Sequence, residues 1–233
     1  MYLENMYTDG KYQQSHPTWD VEDSPWKADY IWEIIKKNSV VVDTIGEVGC
    51  GAGEVLVRLQ KHMDPHCSFV GYEISPQAYQ LCMPKANPRL HFYLQNFVQK
   101  ADVYMDLLLV IDVLEHVLDY ASFLRGIKEK AEYKVFHIPL ELFALAILKP
   151  DFLPNQRRCS GHLHFFTKEI ALQMLKEFNY EIIDYFYTPG YLLSWRKNWK
   201  NSLLYAPRRV IFPLNNDMAV RLFGGYSLLV LTR

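Results

Sequence analysis

Three groups of residues in this chain have types and spacings that could do chemistry together. The first is Glu47-Val48-Gly49-Cys50-Gly51-Ala52-Gly53-Glu54, with glycines at alternate positions between a strand-like run and a helix-forming one. That spacing lets the backbone turn tightly and approach a flat ligand, and the helix that follows presents free N–H groups. The second is Glu73, which ends the apolar run Phe69-Val70-Gly71-Tyr72 and lies twenty residues beyond Gly53. An acid at about that distance meets ribose hydroxyls in nucleotide-binding βαβ units. The third is Asp112-Val113-Leu114-Glu115-His116-Val117, after the apolar run Leu107 to Ile111, with two later histidines at His162 and His164. A nucleotide-type ligand and an imidazole base working near neutral pH are the chemistry on offer.

The loop also says which nucleotide ligands fit poorly. A dinucleotide fingerprint needs glycine where this chain has Glu54, and a phosphate loop needs a Lys-Ser/Thr pair that is absent. What remains, E-x-G-x-G-x-G, resembles the first motif of class I S-adenosylmethionine (SAM) methyltransferases. Their glycine loop passes under the methionine part of a cofactor without phosphate, so an acid at the helix start is tolerated. The resemblance implies SAM as cofactor and S-adenosylhomocysteine (SAH) as product, held by Gly49, Cys50, Gly51 and Gly53. It places Glu47 near the methionine end, and Glu73, followed by Ile74, at the ribose.

Further along, Asn96 stands where that family usually has an aspartate that accepts from the adenine amino group. Its side-chain carbonyl can accept the same bond, and Phe97 is the apolar residue against the ring. The segment from Asp106 to Val117 resembles the run ending V-L-E-H-V in small-molecule methyltransferases of the ubiquinone- and menaquinone-biosynthesis type. This implies Asp112, with Val113 beside it, at the cofactor's ammonium, and His116 opening on the cleft. Gly161 to Thr167 resembles the H-x-x-x-F-T entry to the late helix of the same family. His116 is the first candidate for a base, with His164 and His162 next. Two histidines at i and i+2 supply two metal ligands where a site needs three or four. No third ligand is identifiable in the sequence, and no metal is expected. Whether the acceptor atom is O, N or C stays open. A SAM-binding module without catalysis and an NAD-type oxidoreductase are the competing readings.

These residues need a scaffold that brings strand ends to one edge. Strand-length apolar runs alternate with helix-length periodic stretches, which predicts an α/β fold: a doubly wound, seven-stranded, mostly parallel sheet of Rossmann-like type. Strands are expected at about 41–48, 68–73, 90–94, 105–111 and 133–138, and helices at 54–62, 76–82, 120–131 and 168–178. Two closing segments, 180–187 and 226–232, resemble the methyltransferase hairpin whose last strand enters antiparallel. The expected layout is a single domain: a helical N-terminal cap over 1–40, a cofactor-binding core over 41–187, an insertion over 188–225 and the last strand over 226–233. Tyr12, Trp19 or Trp26 of the cap would lie over the cofactor, close the cleft or simply pack. The apolar stretch 142–153 would roof an acceptor pocket or form one more core helix.

Composition narrows the class. The chain has 233 residues, a formal net charge of -1, 50% hydrophobic and 22% charged residues, as in a soluble globular domain and unlike a nucleic-acid-binding one. Four cysteines without a C-x-x-C pair fit a reducing compartment. No signal peptide or membrane-spanning run is evident, so a cytoplasmic enzyme is expected. Arg196, Lys197, Lys200, Arg208 and Arg209 lie among Tyr191, Trp195, Trp199 and Tyr205. Such a stretch faces solvent, an anionic or lipophilic acceptor, RNA, or a membrane surface touched peripherally.

Overall fold

The computed structural model describes residues 7, 10–100, 102–194 and 199–233. In chain order the first half carries α1 (Lys11–Ser15), α2 (Ser24–Lys37), β1 (Thr44–Val48), α3 (Glu54–Leu59), β2 (Ser68–Glu73), α4 (Pro76–Cys82), β3 (Leu90–Leu94) and β4 (Met105–Ile111). The second half carries α5 (Tyr120–Lys128), β5 (Ala131–Pro139), α6 (Ala144–Ile147), α7 (Phe152–Asn155), α8 (Lys168–Glu177), β6 (Ile182–Thr188), α9 (Tyr191–Ser194), α10 (Trp199–Ile211), α11 (Asn216–Phe223) and β7 (Ser227–Thr232).

The strands form one seven-stranded sheet in the order β3-β2-β1-β4-β5-β7-β6. β1 to β5 pair in parallel, and β7 runs antiparallel between β5 and β6. The expected doubly wound sheet with an antiparallel last strand is therefore present. Its apolar strands are covered on both faces, as parallel sheets require. Alternation along β4 divides the core in two. Leu107 and Leu109 join Ile31, Ile34, Ile35, Leu56 and Leu59 of α2 and α3 on one face. Leu108 and Val110 join Phe123, Leu124 and Ile127 of α5 and Ala171 and Leu175 of α8 on the other.

Local signals set most element ends. Ser75 Oγ accepts from the Ala78 N–H, and Pro76 opens α4 where no helical donor is needed. Thr167 Oγ1 caps α8 by accepting from the Ile170 N–H. Several expected bounds move. β1 begins at Thr44 because Val41 is 87% exposed and reaches no sheet partner. α5 ends at Lys128, and Ala131, expected in that helix, opens β5 instead. The stretch 142–153 breaks at Pro150 into the short α6 and α7, with Ile147 and Leu148 exposed, so it is no continuous core helix. The segment between β6 and β7 folds as α9, α10 and α11.

The strand order reverses between β1 and β4, with β2 beyond one and β5 beyond the other. In such sheets the crevice outside the carboxyl ends at this point binds ligands. The glycine loop leaves β1 there, and Asp112 to Val117 leave β4 beside it.

Candidate active site

The loop after β1 is held by its neighbour strand. The N–H groups of Gly49 and Cys50 both donate to the Tyr72 carbonyl, at 2.8 and 3.1 Å. Gly51, at φ 54, turns the chain so that its N–H donates to Glu73 Oε2 at 2.8 Å. Gly53 has a different duty, since a Cβ there would lie 2.6 Å from the Phe92 ring. It lets helix and strand pack closely. Glu73 Oε1 accepts from the N–H groups of Ile74 and Ser75, both at 2.8 Å. Three of the roughly four acceptor positions of this carboxylate are thus taken, and Oε2 keeps one for a ligand. Burial raises its pKa, and these three backbone bonds oppose the rise.

A buried polar chain separates this loop from the next group. Lys27 of α2 reaches Asp112 at 2.8 Å, and His137 Nδ1 reaches the other Asp112 oxygen at 2.6 Å. His137 Nε2 pairs with Thr188 Oγ1 at 2.8 Å. Burial works against ionising Asp112, but His137 and Lys27 outweigh it and hold the carboxyl well below its ordinary range. Glu47, only 2% exposed, projects into the same space, and among the described residues its Oε2 has no hydrogen-bond partner. Burial pushes its pKa well up, with Lys27 pulling the other way.

The third group assembles from four segments. The Glu115 carbonyl accepts from the N–H groups of Leu163 and His164, at 2.6 and 3.2 Å, which pins the loop before α8 under the end of β4. This sets the His116 and His162 rings 4.8 Å apart, edge to face. His162 Nδ1 is 2.6 Å from Glu141 Oε2, and His116 Nδ1 is 2.7 Å from the Tyr7 hydroxyl. Burial, followed by the neighbouring His162, lowers the His116 pKa to about 3. Glu115 is 1% exposed, and among the described residues neither carboxylate oxygen has a hydrogen-bond partner. Burial drives its pKa well above the usual value, and Asp112 adds to the rise.

One cavity of about 750 Å³ joins all three groups, lined at one end by Gly49, Gly51 and Glu73 and at the other by Glu115, His116 and His162. A methyltransferase-domain family profile matches residues 29–185, two thirds of the chain and every strand that supplies this cavity's glycine loop and acids. The chain belongs to the methyltransferase-domain family.

No curated protein matches the methyltransferase in sequence. Solved structures match it in fold. The magnesium protoporphyrin IX methyltransferase of Synechocystis, with SAH bound, covers 100% of this chain and 97% of its own at a TM-score of 0.62 and 12% identity. An N-methyltransferase of Bradyrhizobium japonicum covers 88% and 92%, at 0.54 and 16%. A (4+2)-cyclase covers 88% and 80%, at 0.58 and 14%. At such identities the likeness concerns the fold alone, and the cyclase illustrates that one fold hosts unlike reactions. The enzyme is a SAM-dependent methyltransferase, and its residues fit that cofactor. The orphaned Glu47 Oε2 awaits a cation, and a Cβ on Gly51 would meet nothing nearer than Trp19 at 3.8 Å, so its open side faces the cavity.

Most expected site residues line this cavity: Glu47, Gly49, Cys50, Gly51, Glu73, Ile74, Asn96, Phe97, Asp112, Val113, His116 and His162. Gly53 and His164 are not in the lining. His164 turns away, with Nε2 on the Val117 carbonyl at 2.8 Å and its ring against Tyr120. Asn96 Oδ1 caps the following turn by accepting from the Val98 N–H. The Asp112 side chain is committed to Lys27 and His137. Glu115 and His116, rather than His164, bring potential ligand atoms within 4.8 Å of that of His162. Tyr12, Trp19 and Trp26 are wall residues, with Tyr12 stacked on His16 at 4.3 Å.

Sequence reasoning gave no role to Tyr7, Lys27, Glu115 or Glu141. Glu115 stood in the V-L-E-H-V run, and its acid beside a histidine was the available signal. The basic aromatic stretch divides. Trp195, Arg196, Lys197 and the side chains of Trp199 and Lys200 lie outside the described residues. Arg208 is buried, donates to the Phe223 carbonyl at 2.7 Å and covers the Tyr191 ring, so it ties α10 to α11 instead of facing solvent. No helix among the described residues is long and apolar enough to cross a membrane.

Proposed function

We propose that this methyltransferase places SAM across the glycine loop and transfers its methyl group to an uncharged small molecule seated beside Glu115, His116 and His162. The observation that carries this reading is the continuity of the cavity from Gly51 and Glu73 to His162 and Leu163. Its volume falls within the range of small-molecule sites. A module that only binds the cofactor would instead need its acceptor space filled by side chains.

Electrostatics support an uncharged acceptor. Among the described lining residues Lys27 is the one lysine and there is no arginine, whereas Asp20, Glu47, Glu73, Asp112 and Glu115 all contribute carboxyls. Lys27 is already committed to Asp112. An anionic acceptor would find no unpaired lysine or arginine among the described lining residues. Apolar contacts come from Tyr7, Tyr12, Trp19, Val117, Leu163 and Leu193.

When bound, SAM supplies a methyl group activated on a sulfonium, which departs as the sulfur becomes a neutral thioether. The chain's part is placement. Glu47 faces the ammonium, the remaining position of Glu73 Oε2 accepts from the ribose, and Asn96 and Phe97 border the adenine. Holding two reactants in line supplies as much as ~7–11 kcal/mol of barrier reduction. Tyr7, Tyr12 and Trp19 give the cavity an aromatic wall. With a pKa of about 3, His116 is neutral at pH 7 and a weak proton acceptor, so it orients the acceptor rather than deprotonating it.

Calorimetric titration with SAM and NADH side by side tests the cofactor, with SAM expected to bind and NADH not. Incubation with labelled SAM and metabolite pools then reads out the acceptor as a gain of one methyl group. Absence of SAM binding, or SAM bound with no labelled product from any pool, overturns the proposal.

A further inference from the structure

We propose that Glu115, His116 and His162 form a binding site for one divalent transition-metal cation, of the zinc or manganese class, at the acceptor end of the cavity. Each offers one ligand atom, and these atoms lie within 4.8 Å of one another. Two atoms each about 2.1 Å from one ion are at most about 4.2 Å apart. At a tetrahedral ion such atoms are about 3.4 Å apart, so the widest pair closes by as much as roughly 1.4 Å on binding, within the reach of side-chain rotation.

The surroundings aim the three groups inward. His162 Nδ1 is occupied by Glu141 Oε2 at 2.6 Å, which leaves Nε2 for the ion. Glu141 is itself anchored, because its other oxygen accepts from Gln156 Nε2. A carboxylate behind a ligating histidine fixes its tautomer and ring orientation in metal sites generally. His116 Nδ1 meets the Tyr7 hydroxyl at 2.7 Å and lies 3.4 Å from the Gly161 carbonyl, so its Nε2 is the free atom. That Nε2 lies 3.9 Å from Glu115 Oε1.

Glu115 is the independent sign that something belongs there. A carboxyl 1% exposed, with neither oxygen partnered among the described residues, sits in a costly environment. Buried polar groups are almost always satisfied, and an unbound ion is one standard reason for an exception. The mixed imidazole and carboxylate set favours zinc, manganese, iron or cobalt over magnesium or calcium, which take oxygen ligands. Three protein ligands leave coordination positions open toward the cavity, as catalytic sites do.

This purpose, though not the ion binding itself, rests on the methyl-transfer reading above. A hydroxyl acceptor bound at the open position would lose its proton at near-neutral pH, as metal-bound water does. The O–H bond breaks, its electron pair stays on oxygen as the nucleophile, and the proton passes to bulk water. No oxidant or reductant is consumed.

The test uses the chelator-treated full chain, titrated calorimetrically with zinc chloride or manganese chloride alone. One ion per chain is expected. Glu115→Gln and His162→Ala should each weaken it at least tenfold, while His164→Ala changes it less than twofold. A variant counts when its thermal transition and SAM affinity match those of the parent. Cobalt(II) bound to the unmutated chain should show visible absorption bands of nitrogen-ligated cobalt, a readout that needs no variant. No saturable binding, an aqua-type cobalt spectrum, or equal affinity in well-folded Glu115→Gln and His162→Ala overturns the proposal. Ion binding retained in a chain that fails to bind SAM would sink the methyl-transfer reading and leave this site standing.

Discussion

At the glycine-loop end of the cavity, the N–H groups of Gly49 and Cys50 bond the Tyr72 carbonyl and that of Gly51 the Glu73 carboxylate, all within the unit β1 to β2. At the far end, Tyr7, Glu115, Glu141 and His162 meet through side chains from segments far apart in the chain. Each end leaves a buried carboxyl unsatisfied among the described residues, Glu47 at one and Glu115 at the other. Under the proposed function the first has a partner in the cofactor's ammonium. The second has none there, and that difference separates the two ends. Motifs report the first kind of construction. Only a folded chain reports the second.

The comparison breaks most severely if the wall between the ends is removed. Lys27→Met leaves Asp112 with His137 as its remaining side-chain partner among the described residues, and should cost roughly 3 kcal/mol, read from denaturant midpoints. A loss below ~1 kcal/mol would mean that the pair contributes little. The same wall has a pH signature. Because the folded pKa of Asp112 is depressed, its contribution is complete above about pH 3.9 and is lost as pH falls below that. Stability should drop more steeply below about pH 3.9 in the parent than in Asp112→Asn, and parallel curves there would refute this assignment.

Next in size is the cofactor end alone. Glu73→Ala removes a charge-assisted acceptor worth ~1.5–3 kcal/mol and should weaken SAM at least tenfold by calorimetry. Unchanged affinity would take the ribose away from Glu73. At the acceptor end, Glu115→Gln should leave SAM affinity within twofold while abolishing turnover, which would show that the ends work separately. A parallel loss of SAM would merge them. The smallest change is expected from His164→Ala, which forfeits one hydrogen bond to the Val117 carbonyl and ~1 kcal/mol of stability. A loss of SAM binding in that variant would return His164 to the site.

The parallel sheet was legible because unbroken apolar runs such as Leu107 to Ile111 suit strands covered on both faces. The glycine loop was legible because turn geometry depends on neighbouring residues. Helix limits near Pro150 and Ala131 were less so, since sheet pairing extended β5 at the expense of α5. His162 and His164 could not be ranked from spacing. Glu115's carbonyl bonds to both following N–H groups decide which ring enters the cavity and which meets Tyr120. The buried role of Arg208 was hidden for the same reason, as its partners lie on α9 and α11.

By itself the amino-acid order determined the alternation of strands and helices, the glycine turn after β1 and the acid that follows it, because each depends on residues a few positions apart. Strand order decided the rest. Setting β4 beside β1 and β5 gathers chain-distant side chains at one edge, where burial strips Asp112, Glu115 and His116 of water and makes their partners, or the lack of them, determine their chemistry.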